Sequence, residues 1–144
     1  MSEHRAIIET SVHVRYAETD SLGIAHHSSY VIWFEEGRSE YMRRERESYD
    51  ALQKNGVFLP LAELDVRYIA PARYGDRITI CTWVGAVRSR SVTFVGEIVK
   101  PETNQVLARA RTKHICIDTQ TGQLKVIPQQ TRECLKRYLV PGEG

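Results

Sequence analysis

Ser28-Ser29-Tyr30-Val31-Ile32-Trp33-Phe34-Glu35-Glu36-Gly37-Arg38-Ser39-Glu40-Tyr41 is the stretch that decides the fold. Tyr30, Trp33, Phe34, Gly37 and Tyr41 recur at helical spacing, and Glu35, Glu36, Arg38 and Glu40 fill the other faces, the pattern of a helix with one buried side. The spacing predicts one long helix ending near Glu47, with Ser28 or Ser29 as its N-cap. Gly37 lies on the apolar stripe, where a missing side chain lets another backbone come close. Upstream, residues 10–16 alternate: Val12, Val14 and Tyr16 face one way and Ser11, His13 and Arg15 the other, which reads as a half-buried strand. The polar, glycine-containing residues 17–23 between strand and helix read as a loop. Downstream, a shorter helix over residues 49–54 stops at Asn55-Gly56.

After Gly56 the period becomes two. Residues 64–69, 78–84, 92–98 and 106–117 alternate as strands, separated by turns at 74–76, 88–90 and 101–104, with a further turn at 121–122. Pro128 then opens a short helix to about Leu139. One strand, one long helix, a run of strands and a terminal helix predict an α+β fold, an antiparallel sheet of about five strands wrapped around the long helix. The small residues Ala108, Ala110 and Thr112 suit a strand beneath Trp33 and Phe34. Arg109, Arg111 and Lys113 then share the opposite face, as a solvated outer surface or a phosphate-holding row.

The length of 144 residues fits one domain, taken as residues 1–144. A net charge of +2 gives no reason to expect nucleic acid as a partner. The longest uncharged stretch, residues 21–34, carries His26, His27, Ser28 and Ser29 and is too polar to insert in a membrane unaided. Residues 1–5 are charged and run into a strand pattern without an apolar leader segment. Cys81, Cys116 and Cys134 form no C-x-x-C pair, so reduced thiols and a cytoplasmic location are expected.

The segment Asp20-Ser21-Leu22-Gly23-Ile24-Ala25-His26-His27 is where chemistry can sit. A helix N-terminus offers unpaired N–H groups and about half a positive charge, which suits an oxyanion. A carboxylate a few residues upstream can attack a carbonyl or activate water beside it. Taken alone, Asp20 also reads as a turn or cap residue, and His26 and His27 as capping or surface residues. Glu35 and Glu36 are alternative acids on the helix, with Glu35 also suited to orienting the loop. A metal site from Asp20, His26, His27 and Glu35 lacks the i, i+4 histidine pair of helix zinc sites. Ser89 and Ser91 lack the G-x-S-x-G setting of a serine hydrolase.

Residues 14–20 (Val-Arg-Tyr-Ala-Glu-Thr-Asp), then Gly23, His27, Tyr30, Phe34-Glu35 and Gly37-Arg38, resemble the signature of the hotdog-fold acyl-CoA thioesterases. Residues 56–61, Tyr68 and residues 71–76 agree with it in order and spacing, so that the likeness covers about 12–127. It is nearest to the 4-hydroxybenzoyl-CoA thioesterase-like group that includes the Tol-Pal-associated thioesterases. The resemblance implies an acyl-CoA substrate, no cofactor or metal, and a homodimer or homotetramer with sites shared between subunits. It makes Asp20 the catalytic nucleophile or general base and gives the backbone N–H of His27 the thioester carbonyl. Gly23 is the turn glycine. His26 stands where the family often has an aromatic residue, and Ser29 where Asn is common, which bears on substrate fit. Gly23, His26 and Tyr30 are taken as substrate-binding, with Arg88 and Arg90 as candidates for the CoA phosphates. A non-catalytic hotdog acyl-binding or protein-interaction module is the alternative, and a hotdog dehydratase is disfavoured because its proline-rich approach is absent.

Overall fold

The computed structural model describes residues 7–142. Strand β1 (Ile8–His13) leads through a 3-10 turn (Tyr16–Glu18) and a loop to helix α1 (His27–Arg44). Helix α2 (Arg46–Lys54) follows, then β2 (Val57–Phe58), β3 (Leu61–Tyr68), β4 (Arg77–Val87), β5 (Ser91–Lys100), β6 (Gln105–Ile115), β7 (Ile117–Asp118) and α3 (Gln129–Lys136). The main sheet is antiparallel throughout, in the order β1-β4-β5-β6-β3, and β2 pairs separately with β7. This is the α+β hotdog arrangement that the resemblance implies.

The expected apolar stripe of α1 is buried: Tyr30, Trp33, Phe34, Gly37 and Tyr41 all face the sheet. They meet alternate residues of three strands, Ile78, Ile80 and Val84 of β4, Val92, Phe94 and Ile98 of β5, and Ala108 and Ala110 of β6. The helix comes closest at two glycines. A Cβ on Gly37 would run into Thr82 Oγ1 and lie 3.0 Å from Ile80 Cγ2, and one on Gly96 would lie 2.6 Å from Phe34 Cδ1. Repacking around either added methyl costs on the order of 1–3 kcal/mol.

Local details depart from the pattern reading. Tyr16 does not continue the first strand inward; it is 77% exposed at the start of the 3-10 turn, because β1 ends at His13 and Val14 N–H instead bonds Asp76 O. The N-cap of α1 is His26, not Ser28 or Ser29, and its ring nitrogen takes the place of a hydroxyl. The long helix breaks at Glu45 rather than near Glu47, and α2 starts three residues before the expected residue 49. Pro128 stands at the N-cap of α3 instead of its first turn.

The outer face of the sheet is partly covered by the C-terminal segment. Val84 N–H bonds Tyr138 O, Val140 N–H bonds Val84 O, and Val140 packs with Trp83 and Val95. The predicted cationic row also faces outward, matched by acids on adjacent strands: Arg109 lies 3.7 Å from Glu97, Lys113 3.9 Å from Glu63, and Arg111 pairs in register with Asp65. At the opposite edge of this pattern β3 pairs, among the described residues, on one side only, with β6, and is exposed along most of its length.

Candidate active site

Residues 19–25 form a small closed loop. Asp20 N–H donates to Ile24 O (2.8 Å), Gly23 N–H donates to Asp20 O (3.1 Å), and Thr19 bridges Ala25. The turn needs Gly23 at φ +80°, in the left-handed region that favours glycine. Asp20 Oδ1 accepts from Leu22 N–H at 2.8 Å, while Oδ2 has no hydrogen-bond partner among the described residues. One carboxylate oxygen is thus anchored and the other open, in a half-buried position.

The loop delivers the chain into α1. His26 is extended (φ −64°, ψ 144°), and its Nδ1 accepts from Ser28 N–H at 3.1 Å. His26 N–H donates to Glu18 O and Ser29 N–H to His26 O. Of the first-turn amides, His27 N–H therefore has no acceptor among the described residues, at the positive end of the helix dipole. The His27 carbonyl accepts from the Tyr68 hydroxyl at 2.9 Å, and the His26 and His27 rings stack at 4.1 Å between centroids, tilted by 31°.

Glu18, part of the 14–20 motif but given no role by it, holds this corner together. Its Oε1 accepts from Arg15 N–H (2.7 Å), and its Oε2 from the Arg15 guanidinium and Trp33 Nε1–H (3.1 Å each). Its carbonyl accepts from Ser29 Oγ–H and His26 N–H. Burial pushes the carboxyl up, but the bonds from Arg15 and Trp33 outweigh it and leave the group below its ordinary value. A carboxyl depressed in the folded state stabilises the fold above its unfolded pKa of about 4.3 and loses that contribution as pH falls through the folded value. Glu18→Gln is expected to cost about 1.5–3 kcal/mol at pH 7, since hydrogen bonds to a charged acceptor are replaced. Thermal melts at pH 7 and pH 3.5 check this: the wild-type advantage should shrink at the lower pH, and equal melting points at pH 7 would refute it.

The predicted site residues divide into three groups. Asp20, Gly23, His26 and His27 come together at the loop and helix start. Tyr30 is nearby but in the core, its hydroxyl accepting from Ala72 N–H at 2.9 Å and its ring between Trp33 and Tyr68, so that it braces the 70–72 segment. Burial, then the charges of Asp20 and Asp76 among others, raise its pKa. Arg88 and Arg90 are exposed in the turn after β4, an eleven-residue strand that starts beside Asp76 and the Asp20 corner. That separation is about 33 Å at 3.3 Å per residue, so these arginines do not belong to the Asp20 site of the same chain. Glu35 does not orient the loop; it lines a cleft farther along α1, and Glu18 performs the orienting task. Among the described residues no three His, Cys, Asp or Glu side chains gather closely enough to hold a metal ion.

Glu18 Oε1 accepts from Arg15 N–H across the 3-10 turn, one half of a capping box, and no spacing marked it because position 15 holds Arg, which has no acceptor, where Ser or Thr would stand. Tyr68 belongs to the segments that carry the resemblance, but nothing in the sequence assigned it a contact, because its bond to His27 depends on how β3 lies along α1.

Comparison with known proteins points the same way. The family profile described as Thioesterase-like superfamily matches residues 14–135. The chain is 33% identical over 118 residues to the acyl-CoA thioester hydrolase YbgC of Escherichia coli O6:H1, covering 82% of this chain and 87% of that one. It is 29% identical over 115 residues to the putative acyl-CoA thioesterase YneP of Bacillus subtilis, covering 80% and 83%. The crystal structure of Slr0204, a 1,4-dihydroxy-2-naphthoyl-CoA thioesterase from Synechocystis, superposes with a TM-score of 0.79 at 25% identity, covering 90% of this chain and 96% of that one.

Proposed function

Since the chain belongs to the thioesterase-like superfamily, we propose that it is an acyl-CoA thioester hydrolase whose chemistry rests on Asp20 and the backbone N–H of His27. The observation that carries this reading is an unpaired helix-terminal amide one closed loop away from a carboxylate with a free oxygen. The thioester carbonyl oxygen would accept from His27 N–H, so that negative charge developing there meets the helix dipole. Asp20 then acts in one of two ways. It attacks the carbonyl carbon, the C–S bond breaks, and water cleaves the resulting anhydride; or it removes a proton from water, whose oxygen bonds to the carbon as CoA thiolate leaves. Both routes consume one water and give a free acid and CoA. The thiolate needs no acid to depart, since a thiol's pKa is only about 8.5.

Within the superfamily we place the chain in the 4-hydroxybenzoyl-CoA thioesterase-like group, in its Tol-Pal-associated branch, acting in the cytoplasm as a single domain. No helix among the described residues is long and apolar enough to cross a membrane. A panel of aromatic, short-chain and long-chain acyl-CoA substrates, followed by free-thiol release, tests the activity. Turnover of at least one is expected; binding of acyl-CoA without release of thiol would instead support a non-catalytic acyl-binding module.

The active unit in this reading is a homodimer or homotetramer. The edge of β3 offers unpaired backbone groups, and Leu61, Leu64 and Tyr68 on that strand are exposed together with Ile32 of α1. Arg88 and Arg90, too far from Asp20 in their own chain, reach CoA phosphates only at the site of a second copy. Sedimentation equilibrium at micromolar concentration should return at least twice the 16.5 kDa chain mass. An active monomer would overturn the shared site.

A further inference from the structure

A cleft of about 300 Å³ opens beside the second half of α1, well away from the Asp20 corner. Met42, Leu52, Leu59, Leu61, Phe94 and Leu135 form the apolar part of its walls. Its volume is at the lower end of that of small-molecule pockets. Glu35 and Ser39, on its α1 side, are eight and twelve residues past His27, or about 12 and 18 Å along the helix. The surface between the two places is apolar. Ile32 on α1 is 57% exposed, and β3 runs alongside from Leu61 at the cleft, through Leu64, to Tyr68 at His27.

Arg38 and His114 are among the polar side chains that line the cleft, and Thr112 lies between them. Leu59 O can only accept, so His114 Nδ1 carries the proton it donates at 3.1 Å; His114 Nε2 then accepts from the Thr112 hydroxyl at 3.1 Å. Thr112 Oγ1 in turn accepts from Arg38 at 3.5 Å. Burial, then the Arg38 charge, hold His114 down at about 4, so it is neutral at pH 7. Arg38 is half-buried and has five N–H donors, yet this one long bond is its only hydrogen bond among the described residues. Glu35 acts on it through space without forming an ion pair. A guanidinium drawn from water with donors unmatched is costly and is offset by an acceptor that fits it.

We propose that this cleft binds the far end of a long acyl group and that Arg38 holds an oxygen, carboxylate or hydroxyl, carried at that end. The inference rests on the thioesterase reading, which places the carbonyl at His27. With carbon–carbon bonds of about 1.5 Å, each methylene of an extended chain advances about 1.25 Å. The 12–18 Å between the two places then corresponds to about ten to fourteen carbons.

Two measurements on the full chain test it. Turnover is compared for butyryl-, dodecanoyl-, 12-hydroxydodecanoyl- and dodecanedioyl-CoA, and calorimetry measures binding of the three twelve-carbon ligands as non-hydrolysable CoA thioethers, with a methylene in place of the thioester carbonyl, which needs no turnover. Either or both oxygen-tipped thioesters should exceed dodecanoyl-CoA in kcat/KM by at least tenfold, and their relative rates separate carboxylate from hydroxyl. Arg38→Met should erase the preference in both assays and Arg38→Lys partly restore it, with circular dichroism showing that each variant is folded. Equal or better turnover of dodecanoyl-CoA, or a preference that survives Arg38→Met, overturns the role of Arg38. Faster turnover of butyryl-CoA than of every twelve-carbon substrate overturns the cleft as the acyl site. Arg38-dependent binding of the oxygen-tipped thioethers without hydrolysis of any thioester would sink the thioesterase reading and leave the cleft standing.

Discussion

Asp20→Asn is expected to lower kcat by about 10³-fold or more, as deletions of a reacting group do. Asparagine keeps the shape of the side chain and can still accept from Leu22 N–H through its amide oxygen, so the closed loop survives. What it loses is the negative charge on the open oxygen, which either attacks or takes a proton from water. Because the position is half-buried and no ion pair to it exists among the described residues, stability should change by less than about 0.5 kcal/mol. A variant that melts with the wild type and keeps a tenth of its kcat would remove Asp20 from the chemistry.

The second large effect separates the backbone of residue 27 from its side chain. His27→Ala keeps the N–H and should cost about tenfold in kcat, from the lost ring. His27→Pro removes the donor and should cost at least the roughly 10²–10³-fold seen when an oxyanion donor is deleted. The structure makes proline an unusually clean probe. Residue 27 is the first helical position, where proline is tolerated, and proline requires an extended residue before it, which His26 already is. The bond from Tyr68 goes to the carbonyl of residue 27 and is open to either variant. If the imidazole instead protonated the leaving thiolate, alanine would be nearly as damaging as proline. The wild-type pH–rate profile would also show a limb near the ~6.5 of histidine that the alanine variant lacks.

What was legible in the sequence follows from what is local. The apolar stripe of α1 and the alternating strands report which faces are buried, and the structure buries those residues on α1, β4, β5 and β6, while Leu64 and Tyr68 of β3 stay exposed. The loop motif placed Asp20, Gly23, His26 and His27 beside one another because they are neighbours along the chain. The misreadings arise where distant segments decide. Serine is the usual N-cap, but the bond from His26 N–H to Glu18 O sets the chain's entry two or three residues earlier. Tyr16 fits the strand alternation, yet the Arg15–Glu18 turn ends the strand first. Glu35, eight residues past His27, lies about 12 Å along α1 from the loop and lines the cleft that α1 forms with β3, β5 and α3 instead. Tyr68, Arg38 and His114 have meaning only once β3 and β6 lie against α1, an arrangement that no spacing within one segment encodes.

The one-sided pairing of β3 also bears on how the chain avoids sticking to the wrong neighbour. An exposed edge strand is a template for any extended segment, including one from a partly folded copy. Here Glu63, Asp65 and Arg67 occupy alternate positions on the outer face, and Pro60 and Pro71 flank the strand. In antiparallel self-pairing, a two-fold centred on Asp65 would press two Asp65 side chains together, and one centred on Leu64 would set Glu63 against Asp65. Centred on Val66, the same strand sets Asp65 against Arg67 of the second copy and Leu64 against its Tyr68. Like charges opposed across strands are destabilising and opposite charges favourable, each by a fraction of a kcal/mol to about 1 kcal/mol. The alternating charges therefore act as a filter on register and on partner, tolerating one symmetric alignment while making slipped or foreign strands poor company.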